Sequence, residues 1–193
     1  MIVPFQGMAP RLGSRVFVAP NATVIGDVEL GDDVSLWFDV VVRGDVNWVR
    51  IGHRANIQDK SCLHVTNGRF PLSIGDEVSI AHNVMLHGCT LEKGVLVGMS
   101  STIMDGARIG AGCLVAAGSL VREGFEAPPH TLVAGWPAVV KRDLTPEQRE
   151  LPSLIWKHYV RYKEAYFSDG WPMAVAPVAA HPQPGFAQGH PFP

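Results

Sequence analysis

The chain has 193 residues, enough for one sizeable domain with a packed core. A formal charge of −2 with 18% charged residues gives no general pull towards nucleic acid or an anionic membrane surface. The sequence has no apolar run of membrane-spanning length, no signal-peptide pattern in MIVPFQGMAPRLG, and three widely spaced cysteines without CxxC spacing. It is therefore expected to be a reduced, cytoplasmic protein without a nucleic-acid or membrane partner.

Residues to about Gly13 read as a lead-in, with Pro4 and Pro10 breaking any regular element. From Val16 onwards aliphatic residues recur every six positions, at Val18, Val24, Leu30, Leu36 and Val42. The period resumes at Ile51, Ile57 and Leu63, then at Ile74, Ile80 and Leu86, and after Leu91 at Val97, Ile103, Ile109, Val115 and Val121. Neither a helix nor a plain alternating strand has this period. A hexad repeat is that of a β-helix, in which each hexad forms one short flat side and one turn. Three sides complete a coil of about 18 residues, and the aliphatic residues stack inside the prism. About six coils fit between Val16 and Val121.

Two interruptions break the period. The stretch RGDVNW, between Val42 and Ile51, and HVTNGRFPL, between Leu63 and Ile74, both carry extra residues. Both are predicted to be loops thrown out of the prism, and loops on a rigid scaffold are where function concentrates. After Val121 the repeat gives way to a Pro/Gly-punctuated connector. A helix is predicted to start at Thr145 as N-cap, with Pro146 in its first position and Gln148 completing a capping box. Pro152 is expected to bend or divide it, and Leu151, Ile155, Tyr159, Tyr162 and Tyr166 to form the stripe that packs on the prism. The predicted organisation is thus a β-helix over residues 1–143, a packed C-terminal helix over 144–168, and a Pro/Ala-rich tail over 169–193 that is disordered or extended.

Between Asn56 and Cys89 lie three histidines, His64, His82 and His87. Three neutral imidazoles and one open position make a catalytic rather than a closed structural metal site. His64 and His87 each follow an inward residue of the same face and are separated by one coil plus the excursion. They are predicted to sit on adjacent coils, roughly 4.8 Å apart. His82 lies on the preceding face, with Asp59 one coil below it, so one chain is not expected to bring all three rings to one ion. In a three-fold assembly His82 of one chain can face the His64/His87 pair of its neighbour. By themselves, Arg43 and Asp45 read as an ion pair at a loop and Gln58 as a polar outward residue. His53, His130 and His158 read as solvated side chains, and His181 and His190 in the tail as incidental.

The motifs R-G-D at Arg43 to Asp45, N-I-Q-D at Asn56 to Asp59, L-H at Leu63 and His64, A-H-N-V-M-L-H-G-C at Ala81 to Cys89 and V-G-M at Val97 to Met99 resemble those of the gamma-class carbonic anhydrases and their bacterial homologues. The resemblance covers about residues 10 to 167 and implies a left-handed parallel β-helix, an all-β solenoid of hexapeptide repeats. It implies a homotrimer whose metal is held by His64 and His87 of one chain and His82 of the next. Gln58 would hydrogen-bond the metal-bound water or bicarbonate, Arg43 and Asp45 would order the subunit interface, and Asn56 and Asp59 would support the ligands. Tyr159 would approach the metal from the helix. The implied reaction is reversible hydration of CO2 to bicarbonate by a metal-bound hydroxide. Zn2+ is the default ion, with Fe2+ or Co2+ fitting the same ligands.

The sequence also departs from the best-known archaeal member. That enzyme has a glutamate where Val46 stands, and its acidic loop with a glutamate proton shuttle is here the short, carboxylate-free TNGRFPL. Other functions compatible with the repeat are a hexapeptide-class acyltransferase, a thioesterase-like accessory protein, and a non-catalytic trimer stabilised by its metal.

Overall fold

Three aliphatic columns run along the prism of the computed structural model, which describes residues 1–172 and 174. On one face Val24, Val42, Leu63, Leu86, Ile103 and Val121 pair rung to rung. On the second, Leu12, Leu30, Ile51, Ile74, Leu91, Ile109 and Ala127 do so. Val18, Leu36, Ile57, Ile80, Val97, Val115 and Val133 form the third. All these pairings are parallel, and the hexad spacing brings an aliphatic side chain inward once per side. Apart from Leu12 and Val18 at one end, every member of the columns is buried. Burying one such side chain contributes about 1.5–3 kcal/mol, so the columns are the main source of cohesion. The result is a parallel β-solenoid of about seven turns with one C-terminal helix.

The solenoid is longer than the repeat suggests. The lead-in is not irregular: Ile2–Val3 and Arg11–Leu12 both pair with Thr23–Leu30. The connector after Val121 is not irregular either. Glu126–Ala127 and Thr131–Gly135 add further rungs, and Ala138–Asp143 folds back antiparallel on the last of them. Ala127 is small and is followed by two prolines, which hides this coil from the aliphatic count.

The two interruptions behave differently. The first is not a loop. Val41–Ile51 is one extended strand that passes through a corner of the prism alongside Thr23–Leu30, with a shift of register between Gly26 and Val28. Gly26 and Gly44 allow this close passage, since a Cβ on Gly26 would lie 2.3 Å from the Gly44 carbonyl oxygen and Gly26 has φ +77°. The second interruption does protrude, closed by paired hydrogen bonds between Thr66 and Phe70. Asn47 of the first donates to the Thr66 carbonyl of the second at 3.0 Å, so both departures from the hexad converge.

The helix runs Pro146–Ser168 with the expected capping box between Thr145 and Gln148. It continues through Pro152 rather than being divided there, although the proline removes the bond that an N–H at this position would have made to the Gln148 carbonyl. The packed stripe also differs from the predicted one. Leu151 and Tyr162 are exposed, whereas Pro152 and Lys163 are buried and Tyr159, Tyr166 and Phe167 pack on the core. Beyond the helix, Trp171 packs against Phe38 and Tyr166, and the Ala174 N–H donates to the Val16 carbonyl. The rest of the predicted tail, with His181 and His190, lies outside the described residues. Among the described residues no helix is long and apolar enough to cross a membrane.

Candidate metal centre

His64 and His87 stand side by side on adjacent rungs, in direct register. Their outward rings approach with centroids 5.1 Å apart, and His64 Nδ1 lies 3.1 Å from His87 Nε2. The opposite nitrogen of each ring meets a carboxylate. His64 Nε2 is 3.0 Å from Asp45 Oδ1, and His87 Nδ1 is 2.7 Å from Asp105 Oδ1. Asp45 is held in turn by the Arg43 guanidinium, and Asp105 accepts a 2.6 Å hydrogen bond from the Thr66 hydroxyl. Six side chains, Thr66, Asp105, His87, His64, Asp45 and Arg43, thus form one continuous chain of polar contacts.

An ionised carboxylate only accepts hydrogen bonds, so the ring nitrogen facing it carries the proton. For neutral rings, His64 Nδ1 and His87 Nε2 are then both unprotonated, and two lone pairs face each other across 3.1 Å. That arrangement is repulsive unless a positive centre joins them. Two nitrogens bound tetrahedrally to one ion at about 2.0–2.1 Å stand about 3.3 Å apart, close to what is observed. The donor set therefore fits a divalent ion of the zinc type, and the carboxylates behind the rings are the usual partners of metal-ligating histidines.

Electrostatics agree. Burial is the largest influence on Asp45 and by itself would raise its carboxyl, but hydrogen bonds from Arg43 and His64 outweigh it, and the group is held below its usual range. His64 is pushed below the ordinary imidazole value, first by burial and then by the nearby Arg43 and His87 charges, against the pull of Asp45.

His82 is not part of this cluster. It lies on another face, where its Nδ1 is 2.7 Å from Asp59 Oδ2 and its Nε2 remains available to an ion. Among the described residues, no three His, Cys, Asp or Glu side chains of one chain gather in a form that holds a metal. The structure thus brings two of the three predicted ligands together and sets the third apart, each backed by its own carboxylate. Gln58 and Asn56 are buried and bond elsewhere: Gln58 Nε2 donates to Asn56 Oδ1 at 3.1 Å and Asn56 Nδ2 to Ser79 Oγ at 2.8 Å. Tyr159 lines a groove of about 410 Å³ with Trp37, Phe38, Asp59, Tyr162 and Tyr166, on the His82 side. Burial, then the nearby Asp59 carboxylate, pushes the Tyr159 hydroxyl up to about 12.

Asp105 and Thr66 went unnoticed in the sequence. Asp105 sits at a turn two residues after Ile103, and only the return of the 65–71 excursion brings Thr66 onto it. The available signal was that Met104 shares the column of His64 and His87, which put its neighbour within reach.

Residues 88–123 match the bacterial transferase hexapeptide family (six repeats). The chain is 43% identical over 166 residues to a carbonic anhydrase of Geobacillus kaustophilus, covering 86% of this chain and 91% of that one. It is 39% identical over 166 residues to gamma carbonic anhydrase 2, mitochondrial, of Arabidopsis thaliana, covering 83% of this chain but only 60% of the plant protein. Among solved structures, a Bacillus cereus protein named as an acetyltransferase superimposes with a TM-score of 0.85 at 43% identity, covering 87% of this chain and 97% of its own.

Proposed function

The chain belongs to the gamma-class carbonic anhydrase family, and from that premise we propose that it interconverts CO2 and bicarbonate at metal sites shared between the chains of a homotrimer. The observation that carries the proposal is the His64/His87 pair, whose unprotonated nitrogens face each other at 3.1 Å with a carboxylate behind each ring. His64 and His87 of one chain and His82 of another would hold the ion, zinc by default, with Fe2+ or Co2+ suited to the same ligands. When bound, such an ion supplies the Lewis acidity that makes water nucleophilic near neutral pH.

The remaining work falls to the chain's own side chains. Asp45, fixed by Arg43, holds the proton on His64 Nε2 and so aims Nδ1 at the site. Asp59 does the same for His82 through Nδ1, leaving Nε2 free. The aromatic groove around Tyr159 and Trp37 adjoins Asp59 and gives an apolar approach suited to CO2. Water and CO2 yield bicarbonate and one proton, which must reach solvent. Val46, partly exposed beside Asp45, offers no carboxylate for that transfer, and neither does the 65–71 excursion.

The deciding experiment is metal analysis of protein purified without chelator, combined with stopped-flow CO2 hydration. The expected result is about one zinc-type ion per chain, with activity that falls when the ion is stripped and returns when it is restored. Full activity in metal-free protein would refute it. Acyl transfer is the second function to test, favoured by the name of the Bacillus cereus relative. Acetyl-CoA turnover in the same preparation, with no CO2 hydration, would support it instead.

A further inference from the structure

Three turn aspartates of this solenoid use a carboxylate oxygen to accept from the backbone of a neighbouring coil. Asp32 Oδ1 accepts from the Ser14 N–H at 2.7 Å, Asp76 Oδ1 from the His53 N–H at 2.8 Å, and Asp59 Oδ1 from the Phe38 N–H at 3.2 Å, each tying one coil to the coil before it. Asp105 departs from that pattern. Both its oxygens go to side chains, Oδ1 to His87 Nδ1 at 2.7 Å and Oδ2 to Thr66 Oγ1 at 2.6 Å. Its turn is secured without them, by the Gly106 N–H to the Gly88 carbonyl and the Gly124 N–H to the Asp105 carbonyl.

The chain around it is shaped to admit the carboxylate. Gly88 follows His87 directly, with φ +53°, and a Cβ there would lie 2.2 Å from Asp105 Oδ1 and 2.7 Å from the Phe70 Cβ. Thr66 and Phe70 both come from the excursion between Leu63 and Ile74. The excursion carries no carboxylate of its own, but it clamps one that belongs to a later coil.

We propose that Asp105, locked by Thr66, is a positioning residue for the metal site: it holds the proton of His87 on Nδ1 and so presents Nε2 to the ion. This rests on the metal-centre function proposed above. Without a fixed acceptor at Nδ1, the ring is free to carry its proton on Nε2 instead, where it blocks coordination. Thr66 acts one step further out, by keeping the carboxylate from rotating off the ring.

The test uses the full-length protein and Asp105→Ala, Asp105→Asn, Thr66→Val and Thr66→Ser variants. Zinc affinity is measured by chelator competition, and the His87 tautomer in metal-free protein by ¹⁵N NMR. Wild type is expected to show the proton on Nδ1, and Asp105→Ala a population with it on Nε2. Asp105→Ala should weaken zinc binding about 10–100-fold. Thr66→Val should weaken it roughly fivefold and Thr66→Ser should restore it, as expected for one lost hydrogen bond. Thr66→Val leaves Asp105 itself in place, so the test survives if the Asp105 variants fold poorly. Wild-type zinc affinity in both Asp105→Ala and Thr66→Val would overturn the inference, as would a wild-type ring protonated on Nε2. If wild type binds no zinc at all, the metal-centre function fails, while the tautomer still decides the role of Asp105.

Discussion

Lys163 Nζ, fully buried, lies 2.6 Å from Asp33 Oδ1, joining the C-terminal helix to a solenoid turn 130 residues earlier in the chain. The same ammonium donates to the Arg15 carbonyl at 3.0 Å and to Glu164 at 2.9 Å, and Arg15 also pairs with Glu164. A buried charge without these partners is costly, so the cluster fixes where the helix docks. Lys163→Met keeps the volume and removes the charge. It is expected to destabilise the fold by about 2–3 kcal/mol, read by thermal or urea denaturation. Glu164 supplies a pH signature. Burial would raise its carboxyl, but hydrogen bonds from Arg15 and Lys163 outweigh that and hold it below 4.5. A group depressed in the fold stabilises above its unfolded value, and that contribution is lost as the pH falls through the folded value. Acid titration of Glu164→Gln should therefore show a shallower loss of stability below about pH 4.5 than wild type.

Separation of His82 from the His64/His87 pair leads to a complementation experiment. His64→Ala and His82→Ala are each expected to lose metal and CO2 hydration. When the two are unfolded and refolded together, one kind of mixed interface joins an intact His82 to an intact pair, so metal and activity should partly return. Isolated mixed trimers with no recovered metal would rule out a shared site.

Proton release is expected to limit turnover, because Val46 and the 65–71 excursion bring no carboxylate to the site. Hydration rates should rise with the concentration of small buffer bases such as imidazole. Val46→Glu should weaken that dependence, since it puts a carboxylate next to Asp45 and three positions along the same strand from Arg43. Turnover indifferent to buffer in wild type would mean that another group carries the proton.

Tyr159 stays protonated through the neutral range, its hydroxyl pushed up to about 12 by burial and then by Asp59. Because the hydroxyl titrates above its ordinary value of about 10, its contribution to stability is fully present below that value and lost as the pH climbs towards about 12. Tyr159→Phe should flatten the alkaline fall in stability above about pH 10, as followed by circular dichroism. The shape of the hydration profile near neutral pH should be the same in Tyr159→Phe as in wild type, because Tyr159 does not ionise there.

The inward columns were legible because each hexad encodes its own side and turn. Val42, Leu63 and Leu86 declare their register without knowledge of any distant partner, and that register alone set His64 beside His87. Legibility ended where a residue depends on an irregular neighbour. Asp45 to Trp48 looked like a loop because they fall at the shift of register, between the Gly26–Gly44 and Val28–Val49 pairs, where the two glycines let the backbones pass at a corner. Ala127 and Val133 belong to a genuine coil, yet one alanine beside two prolines carries too little hydrophobic signal to announce it. Asp105 is an unremarkable turn residue until Thr66 folds back upon it. Lys163 reads as a solvated helix position until Asp33 and Glu164 are seen to enclose it.

The antiparallel return of Ala138–Asp143 has a consequence at the scale of many molecules. A stack of parallel rungs is in principle endless, and the bare edge of its last coil is a template for the first coil of another copy. By reversing direction against Thr131–Gly135, this strand occupies that edge on one face with a chain running the wrong way for a further rung. Its residues after Ala138 are exposed and include Lys141, Arg142 and Asp143, whose charges discourage pairing from outside. On that face, the chain's own geometry and charge oppose end-to-end growth into a filament.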